Sequence, residues 1–242
     1  MDLADNACHV WLFSVQAAVE LCESGGCRGA ETIGHHRFCP CVRTVVLSWY
    51  VGKAPALLSI RREVSSDRDS GRPFLADHIL DFSISHCSEL FAIAIVSHGR
   101  VGVDAELEVL PSVRADIAGL VLTSREASSL ALVGETSTER RFTSFWCRKE
   151  AVSKYSGHGL AFPFTVLDVL DDDVQSVSPI DSFAVKARVR SWTAGNGAEC
   201  AVAFGMDVDE LQIFDLSTAD RLSGKSLIPE VQESLPPRTN QG

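Results

Sequence analysis

One stretch in the second half of the chain, FTSFWCRKEAVSKYSGHGL (142–160), constrains the fold most. Five of its residues fall on a single stripe when it is laid out at about 100° per residue. They are Phe142, Phe145, Trp146, Lys149 and Val152. This spacing predicts an amphipathic helix. Gly157 and Gly159 follow it, and we expect them to end the helix and turn the chain back.

The charged residues of this helix are its unusual feature. Lys149 lies within the apolar stripe, where its ammonium group needs an anion or a route to water. Glu150 and Lys154 are four residues apart, so they lie one turn from each other beside the stripe. A core helix with a surface ion pair is the simplest interpretation, but it leaves Lys149 unexplained. We therefore predict a half-buried helix whose charged residues lie together in and beside its apolar stripe.

A second charged pattern is the acidic stretch VGVDAELEV (101–109). It alternates as a strand, with its apolar residues on one face and Asp104, Glu106 and Glu108 on the other. Alternate strand residues are about 6.5 Å apart, so the carboxylates of Asp104 and Glu106 can converge on one ion. The alternative is a solvated sheet face. Magnesium is the ion that such a carboxylate pair suits, together with waters and phosphate oxygens.

Charge and cysteine content narrow the class of protein. The net charge of −10 argues against non-specific nucleic-acid binding. The start MDLADNACHVWLF lacks a basic signal region, and no apolar run is long enough for a membrane span. We therefore expect a reducing cytoplasm, with the eight cysteines as free thiols. His35, His36, Cys39 and Cys41 raise the alternative of a zinc site, although their spacing matches no standard ligand pattern.

The order of the remaining patterns indicates an α+β protein. We predict a strand at 8–15, a helix from Pro40 to Gly52, and a strand at 81–87 that breaks at Ser85-His86. Two strands across 90–109, helix across 112–133, and strands at 165–170, 182–192 and 199–206 follow. Thr123 or Ser124, followed by Glu126, is the expected cap within the long helical segment. The order suggests two similar halves, 1–101 and 102–216, each an antiparallel sheet packed with helices. Residues 217–242 are expected to form a flexible tail.

Four short motifs occur in an order that resembles the Sfp-type 4′-phosphopantetheinyl transferases. They are GRP (71–73), FSISHC (82–87), GVDAE (102–106) and WCRKEAVSK (146–154). GHGL (157–160) is similar to the glycine-rich exit that follows in that family. The resemblance covers about residues 8 to 205, and the motifs at 102–106 and 146–154 are its most specific part.

The resemblance implies a pseudo-twofold fold with coenzyme A between the two halves. It also implies a cytoplasmic, monomeric enzyme that moves the 4′-phosphopantetheine arm of coenzyme A onto a serine of an apo acyl or peptidyl carrier protein. The other product is 3′,5′-ADP. Which carrier or pathway is served, whether fatty-acid, polyketide or nonribosomal peptide synthesis, is not implied.

The resemblance also assigns roles to residues. Asp104, Glu106 and Glu150 would hold Mg²⁺, with Mn²⁺ as an alternative ion, and Glu150, Lys154 and Asp104 would be catalytic. Glu150 would accept the serine proton directly or through water, and Lys154 would bind phosphate. The nucleotide end of coenzyme A would be bound by Arg43, Thr44, Arg72, Pro73, Ser85 and His86. We further hypothesise that Lys149 pairs with a carboxylate and orients the turn that carries Glu150.

Two other functions remain open from the sequence. One is a non-catalytic module of the same fold that binds carrier proteins or coenzyme A, although such a module has no need of three metal carboxylates and Lys154. The other is an unrelated magnesium-dependent phosphohydrolase, which would hydrolyse coenzyme A without a carrier.

Overall fold

A computed structural model describes residues 1–25, 35–63, 71–76, 80–87, 90–176, 184–218 and 233–234. The chain divides into two compact units, Met1–Gly99 with Asp207–Gly242 and Arg100–Met206. Both units combine helices with largely antiparallel sheets, and the described residues contain five α-helices. The fold class is therefore α+β, as the sequence predicts. Among the described residues, no helix combines the length and apolarity needed to cross a membrane.

The first unit is built on a five-stranded sheet. Its strands are β1 (Ala7–Ser14), β4 (Asp81–Cys87), β5 (Leu90–Val96), β10 (Glu210–Leu216) and β11 (Glu233–Ser234). Their order is β11-β10-β1-β5-β4, and β1 pairs antiparallel with β5 but parallel with β10. Helices α1 (Val15–Ser24) and α2 (His35–Val51) and a hairpin of β2 (Ile60–Arg62) and β3 (Pro73–Leu75) complete the unit.

Three local features of this unit differ from what the sequence predicts. Helix α2 begins at His35, not at Pro40, and Pro40 lies inside it. Proline prefers the first turn of a helix, but inside a helix its missing N–H removes only one backbone hydrogen bond. Strand β4 continues through Ser85 and His86 to Cys87, held by its ladder with β5. Helix α1, which we did not predict, begins at Val15 with the Ser14 hydroxyl accepting from the Ala17 N–H.

The six cysteines whose side chains the structure describes are in two states. Cys8, Cys22, Cys87, Cys147 and Cys200 are free. Cys41, in contrast, is disulfide-bonded, so the prediction of free thiols throughout is wrong at this position. The side chains of His35, His36 and Cys39, which with Cys41 suggested zinc, lie outside the described residues, as does most of the predicted tail.

Buried His9 makes the stability of the first unit depend on pH. Its Nδ1 lies 3.0 Å from the Tyr50 hydroxyl, and burial lowers the pKa of His9 from 6.5 to about 4, against the opposing charge of Glu210. The folded state therefore binds fewer protons than the unfolded state between these values. We expect the contribution of neutral His9 to the free energy of unfolding to be fully present above pH 6.5. This free energy should fall by up to about 3 kcal/mol toward pH 4.

Urea denaturation across this pH range tests the expectation. His9→Gln should flatten the decline, whereas the same change at His98, on an exposed turn, should retain the wild-type slope. Identical slopes for wild type and His9→Gln would contradict the assignment.

The second unit is a four-stranded antiparallel sheet packed with helices. The strand order is β6 (Val101–Glu106), β9 (Glu199–Phe204), β8 (Lys186–Thr193) and β7 (Asp173–Gln175). Helices α3 (Pro111–Val121) and α4 (Ser124–Ala131) precede α5 (Glu135–Ser156), which packs on β6 and β9. The segment predicted as a strand at 165–170 is instead a 3₁₀ turn (Phe164–Val166) and a connection whose Leu167 and Val169 are buried.

Gly102 allows α5 to lie directly on β6. A Cβ at this position would lie 1.9 Å from the Ala151 carbonyl oxygen and 2.5 Å from the Tyr155 nitrogen, both backbone atoms of α5. Because helix backbone cannot yield as a flexible side chain can, this position requires glycine.

We expect Gly102→Ala to destabilise the chain by about 1–3 kcal/mol, because the helix must move away from the strand. Urea denaturation measures the loss. Gly119→Ala is a matched control, since a Cβ there meets no atom within 4 Å and alanine is the better helix former. A Gly102→Ala chain as stable as the Gly119→Ala chain would contradict the close approach.

Candidate active site

The apolar stripe of α5 forms the core of the second unit, as predicted. Phe142 and Val152 are fully buried, and Phe145 nearly so. The helix starts seven residues before the predicted segment, at Glu135, and ends at Gly157, whose φ of +82° provides the left-handed cap. The stripe thus presses one face of α5 against the sheet and fixes where its remaining side chains lie.

Lys149 is fully buried and is held by four oxygen atoms. Its Nζ lies 2.7 Å from Glu126 Oε2 and donates to three backbone carbonyls, those of Val121 (2.7 Å), Phe164 (2.8 Å) and Leu167 (2.7 Å). The prediction that Lys149 pairs with a carboxylate is confirmed. The pair joins α5 to the end of α3, the start of α4 and the connection after α5.

Glu126 completes this buried pair from the opposite side. It accepts from the backbone N–H of Thr123 and of Val169, each at 2.8 Å, while the Thr123 hydroxyl accepts from the Glu126 N–H. This is the predicted capping box, and it breaks the long helical segment into α3 and α4. Burial lowers the pKa of Lys149, and the charge of Glu126 opposes that shift.

A different side of α5 faces the acidic strand β6. Asp104 is only 3 % exposed, so the interpretation of this strand as a solvated face is wrong at that position. The Lys154 Nζ donates to Asp104 Oδ1 at 2.7 Å and to the Val103 carbonyl at 3.1 Å. Strand β6 ends at Glu106, and Glu108 lies beyond it in an exposed position.

Three carboxylates on β6 and α5 share one electrostatic environment, those of Asp104, Glu106 and Glu150. Burial first, and then the charge of Asp104, raises the pKa of Glu106 from 4.5 to about 7. Burial, Asp104 and Glu106 raise the pKa of Glu150 to about 7 as well. Lys154 opposes both shifts. The ionised carboxylates therefore repel one another, and a further positive charge would stabilise them.

The donor set fits a hard divalent cation. Three carboxylates are suitable ligands for Mg²⁺, and Glu150 Oε1 is buried with no hydrogen-bond partner among the residues that the structure describes. Within the same residues, no three His, Cys, Asp or Glu side chains are already arranged as a metal-binding group. Lys154, on Asp104, supplies the nearby positive charge in this arrangement.

Cys147, which the sequence patterns did not single out, lies on the same side of α5. Its thiol is fully buried and donates to the Glu199 carbonyl at 3.3 Å. The signal was present in the spacing, because Cys147, Glu150 and Lys154 stand at i, i+3 and i+7 and so share a helix face.

The residues expected to bind the nucleotide belong to the first unit. Arg72, immediately before β3, pairs with Asp81 and donates to the Phe82 carbonyl at 3.2 Å. Pro73, the first residue of β3, pairs with Arg62 of β2. The Arg72 guanidinium is thereby held against the start of β4.

The other expected nucleotide-binding residues lie on two further elements. His86 is exposed and Ser85 is buried, as successive residues of β4. Arg43 and Thr44 are half-buried on α2, where the Thr44 hydroxyl donates to the Pro40 carbonyl of the same helix. The structure thus collects Asp104, Glu106, Glu150 and Lys154 in one unit and the nucleotide-binding candidates in the other.

Comparison with known families agrees with the geometry of the second unit. Residues 100–204 match the family model of the 4′-phosphopantetheinyl transferase superfamily. This match spans the whole second unit, Arg100–Met206, apart from its last two residues. No curated protein matches the chain.

Proposed function

We propose that this protein is an Sfp-type transferase that moves the 4′-phosphopantetheine arm of coenzyme A onto a serine of an apo carrier protein. One observation carries the proposal: Lys154 donates to Asp104 at 2.7 Å, and the charge of Asp104 raises the pKa of both Glu106 and Glu150, all within the segment that matches the superfamily. A protein that only bound carriers would not need this mutually repelling set of charges.

The three carboxylates are the proposed ligands of Mg²⁺ or Mn²⁺. When bound, the ion would neutralise charge on the pyrophosphate of coenzyme A. Strand β6 and helix α5, which carry these side chains, are in close backbone contact at Gly102. Lys154 adds a fixed positive charge for the phosphate.

Glu150 is the proposed general base. The serine oxygen of the carrier forms a bond to the phosphorus that carries pantetheine, and the bond from that phosphorus to the 3′,5′-ADP oxygen breaks. Glu150 takes the proton of the serine hydroxyl, directly or through water. Without the ion, burial and the charges of Asp104 and Glu106 raise the pKa of Glu150 to about 7, and a bound cation would lower it.

The first unit is proposed to bind the nucleotide end of coenzyme A through Arg43, Thr44, Arg72, Pro73, Ser85 and His86. We also propose that the protein acts as a monomer in the cytoplasm.

A carrier-loading assay tests the proposed function. The purified chain is mixed with coenzyme A, Mg²⁺ and one apo carrier from each of fatty-acid, polyketide and nonribosomal peptide synthesis. Intact-mass spectrometry should show the mass of one phosphopantetheine arm on at least one carrier, together with 3′,5′-ADP. Coenzyme A binding without transfer to any carrier would favour a non-catalytic module instead. Hydrolysis of coenzyme A without a carrier would indicate a phosphohydrolase.

Exposed His86 offers a test of the nucleotide-binding proposal. A hydrogen bond to a charged phosphate contributes about 1.5–3 kcal/mol, so His86→Ala should raise the KM for coenzyme A about tenfold to hundredfold. Steady-state kinetics at saturating carrier measures the change. His98→Ala, at an exposed turn of the same unit, is the control. An unchanged KM in His86→Ala would remove this residue from the binding site.

A further inference from the structure

A fourth buried carboxylate, that of Glu199, lies next to the carboxylates on β6 and α5. Glu199 is the first residue of β9 and pairs in the antiparallel ladder with Glu106, the last residue of β6. Side chains of directly paired residues lie on one face of a sheet, with their Cβ atoms about 4.5–5.5 Å apart. Gly102, which shares this face with Glu106, lies against the backbone of α5. Two glutamates therefore meet under α5, and like charges in such a pair destabilise a sheet.

Glu199 is bound from the side opposite Glu106. Its Oε1 accepts from Arg140 Nε of α5 and from the Thr193 hydroxyl of β8, each at 2.8 Å. Arg140 Nη2 also donates to the Thr193 hydroxyl, so the three side chains form a closed ring of hydrogen bonds. Strand β9 lies between β6 and β8 in the sheet. The ring therefore holds Glu199 Oε1 on the β8 side of β9, whereas Glu106 lies on the β6 side.

Arg140 is the charged member of this ring. Glu199 is 6 % exposed, and a buried carboxylate needs a cation or hydrogen-bond donors to offset its lost hydration. Of the two groups that donate to Oε1, the Thr193 hydroxyl is neutral, so the charge of Glu199 is balanced from Arg140. Without this guanidinium, Glu199 would add an unbalanced negative charge beside Glu106.

We propose that Arg140 is a positioning residue, which keeps Glu199 out of the divalent-cation site and thereby sets the affinity of that site. This inference rests on the proposed function, because it assumes that Glu106 is a metal ligand. Arg140 itself is not proposed to contact the ion or the substrates. With Glu199 held aside, three carboxylates remain for the ion, and Mg²⁺ keeps positions for water and phosphate oxygens.

An alternative role for Arg140 is ordinary stabilisation of the sheet, and the two roles differ in the sign of their effect on metal binding. Loss of a purely stabilising pair would loosen the site, so Mn²⁺ binding would weaken or stay unchanged. Release of Glu199 would tighten it, because the added negative charge attracts the cation. Arg141 is the matched control for charge. It is the next residue on α5, but it donates to Ser129 and lies over the Phe145 ring.

Mn²⁺ binding by the full chain alone is the direct measurement, followed by electron paramagnetic resonance in the absence of coenzyme A and carrier. We expect Arg140→Gln to tighten Mn²⁺ binding about fivefold or more, the effect of one unit charge about 10 Å away in a partly buried site. Arg140→Lys, which keeps the charge, and Arg141→Gln should bind Mn²⁺ within a factor of about two of wild type. The double variant Arg140→Gln with Glu199→Gln should also return to that range, because it removes both charges of the pair.

Far-UV circular dichroism and urea midpoints establish which variants are folded. Glu199→Gln alone tests the proposal if Arg140→Gln does not fold, because it leaves no unpaired buried carboxylate. It should weaken Mn²⁺ binding about twofold or more, since the charge of Arg140 is then unbalanced.

Three results would overturn the inference. The first is a folded Arg140→Gln chain that binds Mn²⁺ no more tightly than Arg141→Gln does. The second, where Arg140→Gln does not fold, is unchanged Mn²⁺ binding in Glu199→Gln, and the third is a wild-type chain that binds no Mn²⁺. The carrier-loading assay separates this inference from the proposed function. Mn²⁺ binding with the expected dependence on residues 140 and 199, without loading of any carrier, would reject the transferase proposal alone.

Discussion

Glu150→Gln is expected to reduce carrier loading by about 10²- to 10⁴-fold while leaving the chain folded, because it removes the proposed base and one proposed metal ligand. Glutamine keeps the size of the side chain but cannot accept the serine proton. The measurement is the initial rate of phosphopantetheine transfer at saturating coenzyme A and Mg²⁺.

The same substitution should stabilise the fold without metal. Glu150 is 8 % exposed, and burial and the charges of Asp104 and Glu106 raise its pKa from 4.5 to about 7. A carboxyl whose folded pKa is raised loses its contribution to stability as the pH rises through that value. At pH 8, where wild-type Glu150 is ionised, we therefore expect the urea midpoint of Glu150→Gln to exceed that of wild type.

Glu139→Gln is the matched control for both measurements. Glu139 lies on the same helix but pairs with Arg114 at 3.1 Å, away from the carboxylate cluster. Its replacement should leave the transfer rate close to wild type. Equal rates for wild type and Glu150→Gln would contradict the catalytic role, and a lower urea midpoint for Glu150→Gln would contradict the repulsion within the cluster.

Lys149→Met is expected to lower the free energy of unfolding by about 3–5 kcal/mol, because it leaves the buried Glu126 carboxylate without its cation. The three carbonyl groups of Val121, Phe164 and Leu167 lose their donor at the same time. Urea denaturation at neutral pH measures this loss. Because α5 also carries Glu150 and Lys154, the transfer rate of any folded fraction should fall as well.

Two further variants distinguish the stabilisation by the buried Lys149–Glu126 pair from that of an exposed ion pair. Arg125→Met, one residue before Glu126, removes an exposed partner of Asp168 and should cost less than about 1 kcal/mol. The double variant Glu126→Gln with Lys149→Met should lose less free energy of unfolding than the two single variants together, since it leaves no unpaired ionised carboxylate. Full stability and activity in Lys149→Met would refute the orienting role of this lysine.

The elements that carry the second-unit site were predictable because local interactions specify them. The 100° stripe predicts α5, the alternation predicts β6, and the Thr123–Glu126 capping box lies within four residues of sequence. The segment at 165–170 was predicted wrongly for a related reason. Its Leu167 and Val169 are buried as a strand's would be, but they cover the core from a connection.

Long-range packing explains what the sequence patterns missed. Strand β10 pairs in parallel with β1, about 200 residues earlier in the chain, and joins the first unit, whereas the predicted boundary placed it with the second half. This strand pairing leaves no periodic signal in either strand. Cys147 was classed only as one of eight thiols, because its contact with the Glu199 carbonyl depends on how α5 packs on β9.

The helix at 142–160 shows most clearly what the sequence alone determines and what only the tertiary structure decides. The sequence by itself determined that a helix forms there, that its apolar stripe is buried, that Lys149 needs an anion and that two glycines follow its end. Only the tertiary structure decided that the anion is Glu126. It also decided which three backbone carbonyls supply the other oxygens around Lys149 Nζ. Every residue carries such a carbonyl, so only folding can select the ones that converge on the lysine.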